Sequence, residues 1–392
     1  MKLSSLRPPR LRTQMSEEDH RSATWLELFY DLVFVVAVAA LGHRLLVDHS
    51  WLGVAAFIGL FIPLWWSWAS FTFYADRYDT DDLGQRLLAV AQMIAIALMA
   101  ASISGDTADS TVAFAGSFLA ARVVLLIMYL RAYFHVETTR QLVHGYLVGF
   151  SIGAMPWIVS LWVPEPWRYV LWAIGLAIDM ATPYVMRRAQ AMVPLSVSHL
   201  PERFGLFTIL VLGESIAAVV AGLSSIGWEF NAAMGAVIGV ITATGLWWLY
   251  FDNLEGSVVR RRSSQLKAWR PTTWIYMHLP LAIGLTASGI GLEFLVAQEG
   301  ADVRWVAVTG IAISLAAMGG IHLATDREDH RTDLIQFQVR LGSAALVVLI
   351  GVAAGAWSSN TILFLLAGIC FIQVGVDIFL RERSLQQPST PT

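Results

Sequence analysis

Charged residues are scarce in this sequence: 14% of its 392 residues are Asp, Glu, Lys or Arg, and 56% are apolar, whereas a soluble domain carries about 25% charge. Such a chain cannot maintain a water-facing surface, so it reads as an integral membrane protein. Cysteine is limited to Cys370, which excludes a disulfide framework and any cysteine-based metal site. A glycine-rich phosphate loop and a nucleophile elbow are also lacking. No cofactor, no metal and no nucleic-acid partner is therefore expected, and enzymatic activity is not favoured. Residues 1–23 contain no apolar core, so no cleavable signal peptide is visible and they are expected to be a mobile cytoplasmic tail.

Long apolar runs are what the sequence does have. Twelve of them, each near the 20 residues that a helix needs to cross roughly 30 Å of hydrocarbon, fall at about 24–46, 51–74, 84–104, 111–134, 140–162, 166–187, 203–223, 230–251, 274–297, 303–325, 334–356 and 360–380. The loops between them are too short for a soluble domain. Translocated short loops lose Lys and Arg while cytoplasmic ones keep them. Placing the N-terminus inside puts 22 basic residues on that side, among them Arg77, Arg131, Arg140, Arg260, Arg261, Arg262, Lys267 and Arg327, against Arg44, Arg168 and Arg304 on the other. Both termini are thus expected in the cytoplasm, with the chain multi-pass in the inner (plasma) membrane. Trp51, Trp162, Trp167, Trp228, Trp305 and Trp357 fall at outer ends and Trp25, Trp269 and Trp274 at inner ends, as amphipathic indoles should. The deeper Trp65, Trp66, Trp68, Trp247 and Trp248 are expected in bundle packing.

Glu202-Arg203-Phe204 repeats Glu27-Leu28-Phe29, and Tyr250-Phe251-Asp252 repeats Tyr74-Ala75-Asp76, at offsets of 175 and 176. This favours a duplicated six-helix unit whose two copies run parallel in the membrane. The expected organisation is a first repeat over 24–187, a cytoplasmic linker over 188–202, a second repeat over 203–380 and a tail over 381–392.

The few charges inside these spans are the candidate functional residues, because ionisable groups in a membrane are costly. Glu27, Asp31, Glu202, Arg203, Asp76 and Asp252 fall at the inner ends of their spans, level with His144, His199, His278 and His322. They form either a polar vestibule or ordinary interfacial caps. Glu214 lies about twelve residues into its helix, roughly 18 Å deep, where a charge costs about 2.5–3.5 kcal/mol. Arg122, at similar depth, is its expected partner. Asp179 and Glu293 complete the set, as transport groups or as polar contacts between helices.

Five segments carry a resemblance: Trp25-Leu26-Glu27-Leu28-Phe29-Tyr30-Asp31-Leu32-Val33-Phe34, His199-Leu200-Pro201-Glu202-Arg203-Phe204-Gly205-Leu206-Phe207, Leu212-Gly213-Glu214-Ser215-Ile216, Leu246-Trp247-Trp248-Leu249-Tyr250-Phe251-Asp252 and His278-Leu279-Pro280-Leu281. Through them the chain resembles the bacterial low-temperature-requirement A family. The resemblance implies a membrane location but no assigned activity. A weaker likeness, to lysosomal potassium channels built from paired six-helix repeats, rests on Phe29-Tyr30-Asp31; Phe204-Gly205-Leu206 does not repeat it. Two readings stay open. One is a transporter or ion-conducting protein for an unknown small solute or cation; the other is a non-transporting structural or sensory bundle in low-temperature adaptation.

Overall fold

The computed structural model describes residues 8–11, 23–79, 82–105, 107–193, 196, 199–254, 269–300, 303–324 and 330–386. Part of the charge count, including Arg260, Arg261, Arg262, Lys267 and Arg327, lies outside the described residues, as do most of the expected N-terminal tail and the second half of the C-terminal one.

Nearly everything described is helix. The order is α1 (Trp25–Val47), α2 (Trp51–Arg77), α3 (Leu83–Ile103), α4 (Ala108–His135), α5 (Arg140–Ser160), α6 (Trp167–Val185), the short α7 (Arg187–Met192), α8 (His199–Ile226), α9 (Phe230–Leu254), α10 (Trp269–Val296), α11 (Arg304–Ala324), α12 (His330–Ala353) and α13 (Ser359–Gln386). Among the described residues, eleven of these are long and apolar enough to cross a bilayer. The exception among the long helices is α6, whose 19 residues are made less apolar by Arg168, Asp179 and Pro183. At the helix ends Trp25, Trp51, Trp162, Trp167 and Trp228 are largely exposed, the arrangement that a headgroup layer favours.

Three expectations need correction. The linker expected over 188–202 is partly helical, because α7 occupies Arg187–Met192 and α8 already begins at His199. The N-terminal tail is not free throughout: β1 (Arg10–Leu11) pairs antiparallel with β2 (Tyr78–Asp79), which directly follows α2. Finally, Trp65, Trp66 and Trp68 are buried as expected, but Trp247 is exposed and Trp274 is buried rather than interfacial.

The chain packs as two compact units. Unit 1 comprises residues up to Arg44 together with Ala55–Arg203, and unit 2 comprises Leu45–Val54 with Phe204 onward. Within unit 1, α3, α4, α5 and α6 each pack on the next. Gly145, Gly149 and Gly153 make a stripe at helical spacing on α5, and a Cβ added at Gly153 would stand 3.1 Å from the carbonyl oxygen of Gly175 on α6. Small residues at that spacing let two backbones approach where no hydrophobic driving force between helices exists. Tyr74, Tyr78, Tyr129 and Tyr146 cluster beside this layer with ring centroids 4.9 to 6.5 Å apart. Within unit 2, α10 and α11 are the most enclosed helices. They meet at Gly284 and Gly310, where an added Cβ would come within 2.9 Å of the opposing backbone.

Candidate functional site

Unit 1 gathers the inner-end charges into one chain of contacts. It begins with local helix chemistry at α1, where the Thr24 hydroxyl accepts from the Glu27 backbone N–H at 3.3 Å. Glu27 Oε2 in turn accepts from the Thr24 backbone N–H at 2.7 Å and its hydroxyl at 2.8 Å. That reciprocal Thr-x-x-Glu arrangement is a capping box, and it holds the Glu27 carboxylate at the helix start. One turn later Asp31 Oδ1 accepts from Trp68 Nε1 of α2 at 2.8 Å and from Arg203 Nη2 of α8 at 2.6 Å. Arg203 Nη1 lies 3.8 Å from Glu27 Oε1. Asp31 and Arg203 are buried, so this is an ion pair in low dielectric rather than an interfacial contact.

The chain continues through His199, the first residue of α8. Its Nε2 lies 3.4 Å from Glu27 and its Nδ1 3.1 Å from Asp76 Oδ1 at the end of α2. Ser196 braces the same corner: its backbone N–H donates to Asp76 Oδ2 at 2.7 Å and its hydroxyl accepts from the His199 backbone N–H at 3.2 Å. A carboxylate can only accept a hydrogen bond. With both ring protons in place, the imidazole can donate to Glu27 and to Asp76 together. The order Trp68, Asp31, Arg203, Glu27, His199, Asp76 alternates acids with donors from the first acid to the last. Glu202, the repeat counterpart of Glu27, stands outside this chain of contacts: its Oε1 accepts from the Ala23 backbone N–H at 3.1 Å and so ties down the approach to α1.

A second buried pair lies deeper in unit 1. The expected Glu214 partner for Arg122 is replaced by Asp179, whose Oδ2 lies 2.9 Å from Arg122 Nη2, with both side chains buried. Arg122 also donates to the Ser70 hydroxyl at 3.4 Å and lies over the rings of Phe118 and Phe150. Tyr30 is stacked on Phe71 at 3.9 Å.

In unit 2 the remaining candidates separate. Glu214, sixteenth in the 28-residue α8, and Glu293 of α10 are both half-buried. Neither carboxylate has an ion-pair or hydrogen-bond partner among the described residues. His278 is structural: Nδ1 donates to the Trp274 carbonyl oxygen at 2.7 Å and Nε2 accepts from the Tyr250 hydroxyl at 3.0 Å. That fixes one neutral tautomer. Asp252 is exposed and accepts from Trp248 Nε1 at 2.6 Å, one turn earlier on its own helix. His322 is buried in α11.

Reading the sequence missed a further buried network. Arg340 of α12 is bonded to Asp377 of α13 and donates to Gln373 Oε1 at 2.7 Å, while Gln336 donates to Asp377 at 3.2 Å. The available signal was a charge inside each of the last two apolar runs. Trp68, Ser196 and the Thr24 cap were also missed; of these only the Thr-x-x-Glu pattern was legible.

The sequence matches the family of bacterial low temperature requirement A proteins (LtrA) over residues 22–376. It is also 27% identical over 291 residues, 71% of each chain, to a protein of Rhizobium meliloti (strain 1021) described as uncharacterized. The matched stretch runs from just before the capped start of α1 to one residue short of Asp377, and so contains the whole charged network of unit 1 and, of the unit 2 network, Gln336, Arg340 and Gln373. The chain, a multi-pass helical membrane protein, belongs to the bacterial low temperature requirement A (LtrA) family.

Proposed function

We propose that this protein crosses the inner membrane twelve times with both termini in the cytoplasm, as two parallel six-helix repeats, and that it moves a small solute or cation with proton coupling. The observation that carries this reading is the His199 imidazole held between Glu27 and Asp76 within 3.1–3.4 Å. An imidazole between two carboxylates can take up or release a proton with little rearrangement, as a coupling site needs. Arg203 and Asp31 would set the charge around it, and the unpaired Glu214 and Glu293 of unit 2 supply further proton or cation acceptors. The depth of Glu214 in its helix supports the reading, since ionisable groups inside a membrane mark ion pathways and proton relays.

Purified protein in proteoliposomes should carry a solute or cation flux that responds to a pH gradient. His199→Gln and Glu214→Gln should each lower it at least about tenfold while leaving helix content unchanged. Flux equal to wild type in both variants would remove these groups from the mechanism. A second reading, a non-transporting sensory or structural bundle acting in cold adaptation, is favoured by the closed Arg122–Asp179 pair, which fastens α4 to α6. No flux of any kind, together with cold-dependent unfolding of that pair, would support it instead.

A further inference from the structure

The two acids at the His199 corner of unit 1 are not held alike. His199 Nδ1 lies 3.1 Å from Asp76 Oδ1, whereas Nε2 lies 3.4 Å from each oxygen of Glu27. Asp76 is also the more firmly anchored to the ring: its Oδ2 accepts from the Ser196 backbone N–H at 2.7 Å, and the Ser196 hydroxyl accepts from the backbone N–H of His199 itself at 3.2 Å. One residue thus fixes both the acid and the backbone that carries the imidazole. Glu27 is supplied from elsewhere. Its Oε2 accepts from the Thr24 backbone N–H at 2.7 Å and hydroxyl at 2.8 Å, and Arg203 Nη1 stands 3.8 Å from its Oε1. A carboxylate oxygen has two lone pairs to offer, so Thr24 occupies Oε2 and leaves Oε1 with room for a proton.

The hydrogen bond made by one ring nitrogen of a histidine decides which nitrogen keeps its proton and which is left to exchange. We infer that Asp76 is a positioning residue for the proton-coupling reading given above, on which this inference rests: it holds the permanent ring proton on Nδ1 and so dedicates Nε2 to exchange with Glu27 Oε1. In that step the Nε2–H bond breaks and an O–H bond forms on Oε1. An imidazolium beside a carboxylate becomes a neutral imidazole beside a carboxylic acid, while Nδ1–H stays on Asp76. The gap between Nε2 and Oε1 closes by about half an ångström for the transfer, since acid–base contacts are often long until a substrate tightens them. The remaining charged groups around the corner, among the described residues, are Asp31 on α1 and Arg203 one turn along α8. They lie 2.6 Å apart and satisfy each other, which leaves the ring protons to Asp76 and Glu27.

The test reads the tautomer by nitrogen NMR on full-length protein with isotope-labelled histidine in lipid bilayers, raised in pH until the His199 ring is neutral. The His199 signals are those that vanish in His199→Gln. In wild type the neutral ring should carry its proton on Nδ1, with that form at least about tenfold over the other, as a hydrogen bond to a charged acceptor gives. Glu27→Gln should keep the proton on Nδ1, whereas Asp76→Leu should move it to Nε2. An Nε2–H ring or an even mixture in wild type, a shift of the proton in Glu27→Gln, or an unmoved proton in Asp76→Leu would overturn the assignment. The wild-type tautomer decides the matter even where Asp76→Leu fails to fold. Flux is measured separately: an Nδ1–H ring in a protein without flux defeats the transport reading alone, and flux with an Nε2–H ring defeats this assignment alone.

Discussion

Arg203 shows how much one residue can hold together. It faces Asp31 at 2.6 Å and Glu27 at 3.8 Å in a site without exposure, so its removal leaves two acids without their cation. Arg203→Met should therefore destabilise the protein by about 3–5 kcal/mol, read as a lower denaturant midpoint in mixed micelles. Adding Asp31→Asn should restore part of the loss, because an uncompensated buried charge is then neutralised. An unchanged midpoint in the single variant would refute the pair's structural weight. Thr24→Ala removes the other half of the capping box and should cost about 1 kcal/mol, seen as faster amide exchange in the first turn of α1. The acids themselves stood out in the sequence as charges in apolar runs. Their partners did not, because Trp68 is 37 residues and Arg203 172 residues away from Asp31.

At the scale of the helix, apolar length located every long helix to within a few residues, since hydropathy is a local property that any span must satisfy. The starts were read less well. At the start of α8 the Ser196 hydroxyl accepts from the His199 backbone N–H and Asp76 accepts from the Ser196 backbone N–H, contacts that no hydropathy pattern registers. Helix pairing depends on small residues instead. On α5, a Cβ at Gly153 would stand 3.0 Å from Asp179 Cγ, so Gly153→Ala should push that carboxylate away from Arg122 and cost about 1–3 kcal/mol by overpacking. Gly213, where an added Cβ meets nothing within 4 Å, provides the control: Gly213→Ala should be neutral or stabilising by about 0.5–1 kcal/mol. Equal melting shifts for the two substitutions would contradict this assignment of the α5–α6 face.

Across the whole molecule, two of the buried Arg–Asp pairs, one in each unit, take their aspartate from the last long apolar helix of each half: Asp179 of α6 and Asp377 of α13. The arginines come from different positions, the fourth long helix of the first half and the fifth of the second. Two halves descended from one duplicated unit would thus have diverged in how they hold their charges, and the proposed repeat does not transfer a site from one half to the other. Orientation can be tested directly, because Cys370 is the chain's single cysteine and is buried. In a Cys370→Ala background, cysteines at Ser16 and Ser264 should react with a membrane-impermeant maleimide only after the cells are opened, whereas cysteines at Ser50 and Ser358 should react in intact cells. The reverse pattern would invert the proposed topology.

The sequence by itself determined that this chain lives in a membrane, that it is helical and roughly where each helix runs. Charge scarcity and apolar length follow from the solvent, and every span must satisfy them alone. Which charges meet was decided by the tertiary structure. Glu27, Asp76 and His199 come from the ends of three helices, and the pairing of Arg122 with Asp179 rather than Glu214 depends on how closely α5 lets α6 approach. A buried charge is paired by whichever acid the packing brings within about 3 Å, and the separation along the chain carries no record of that choice.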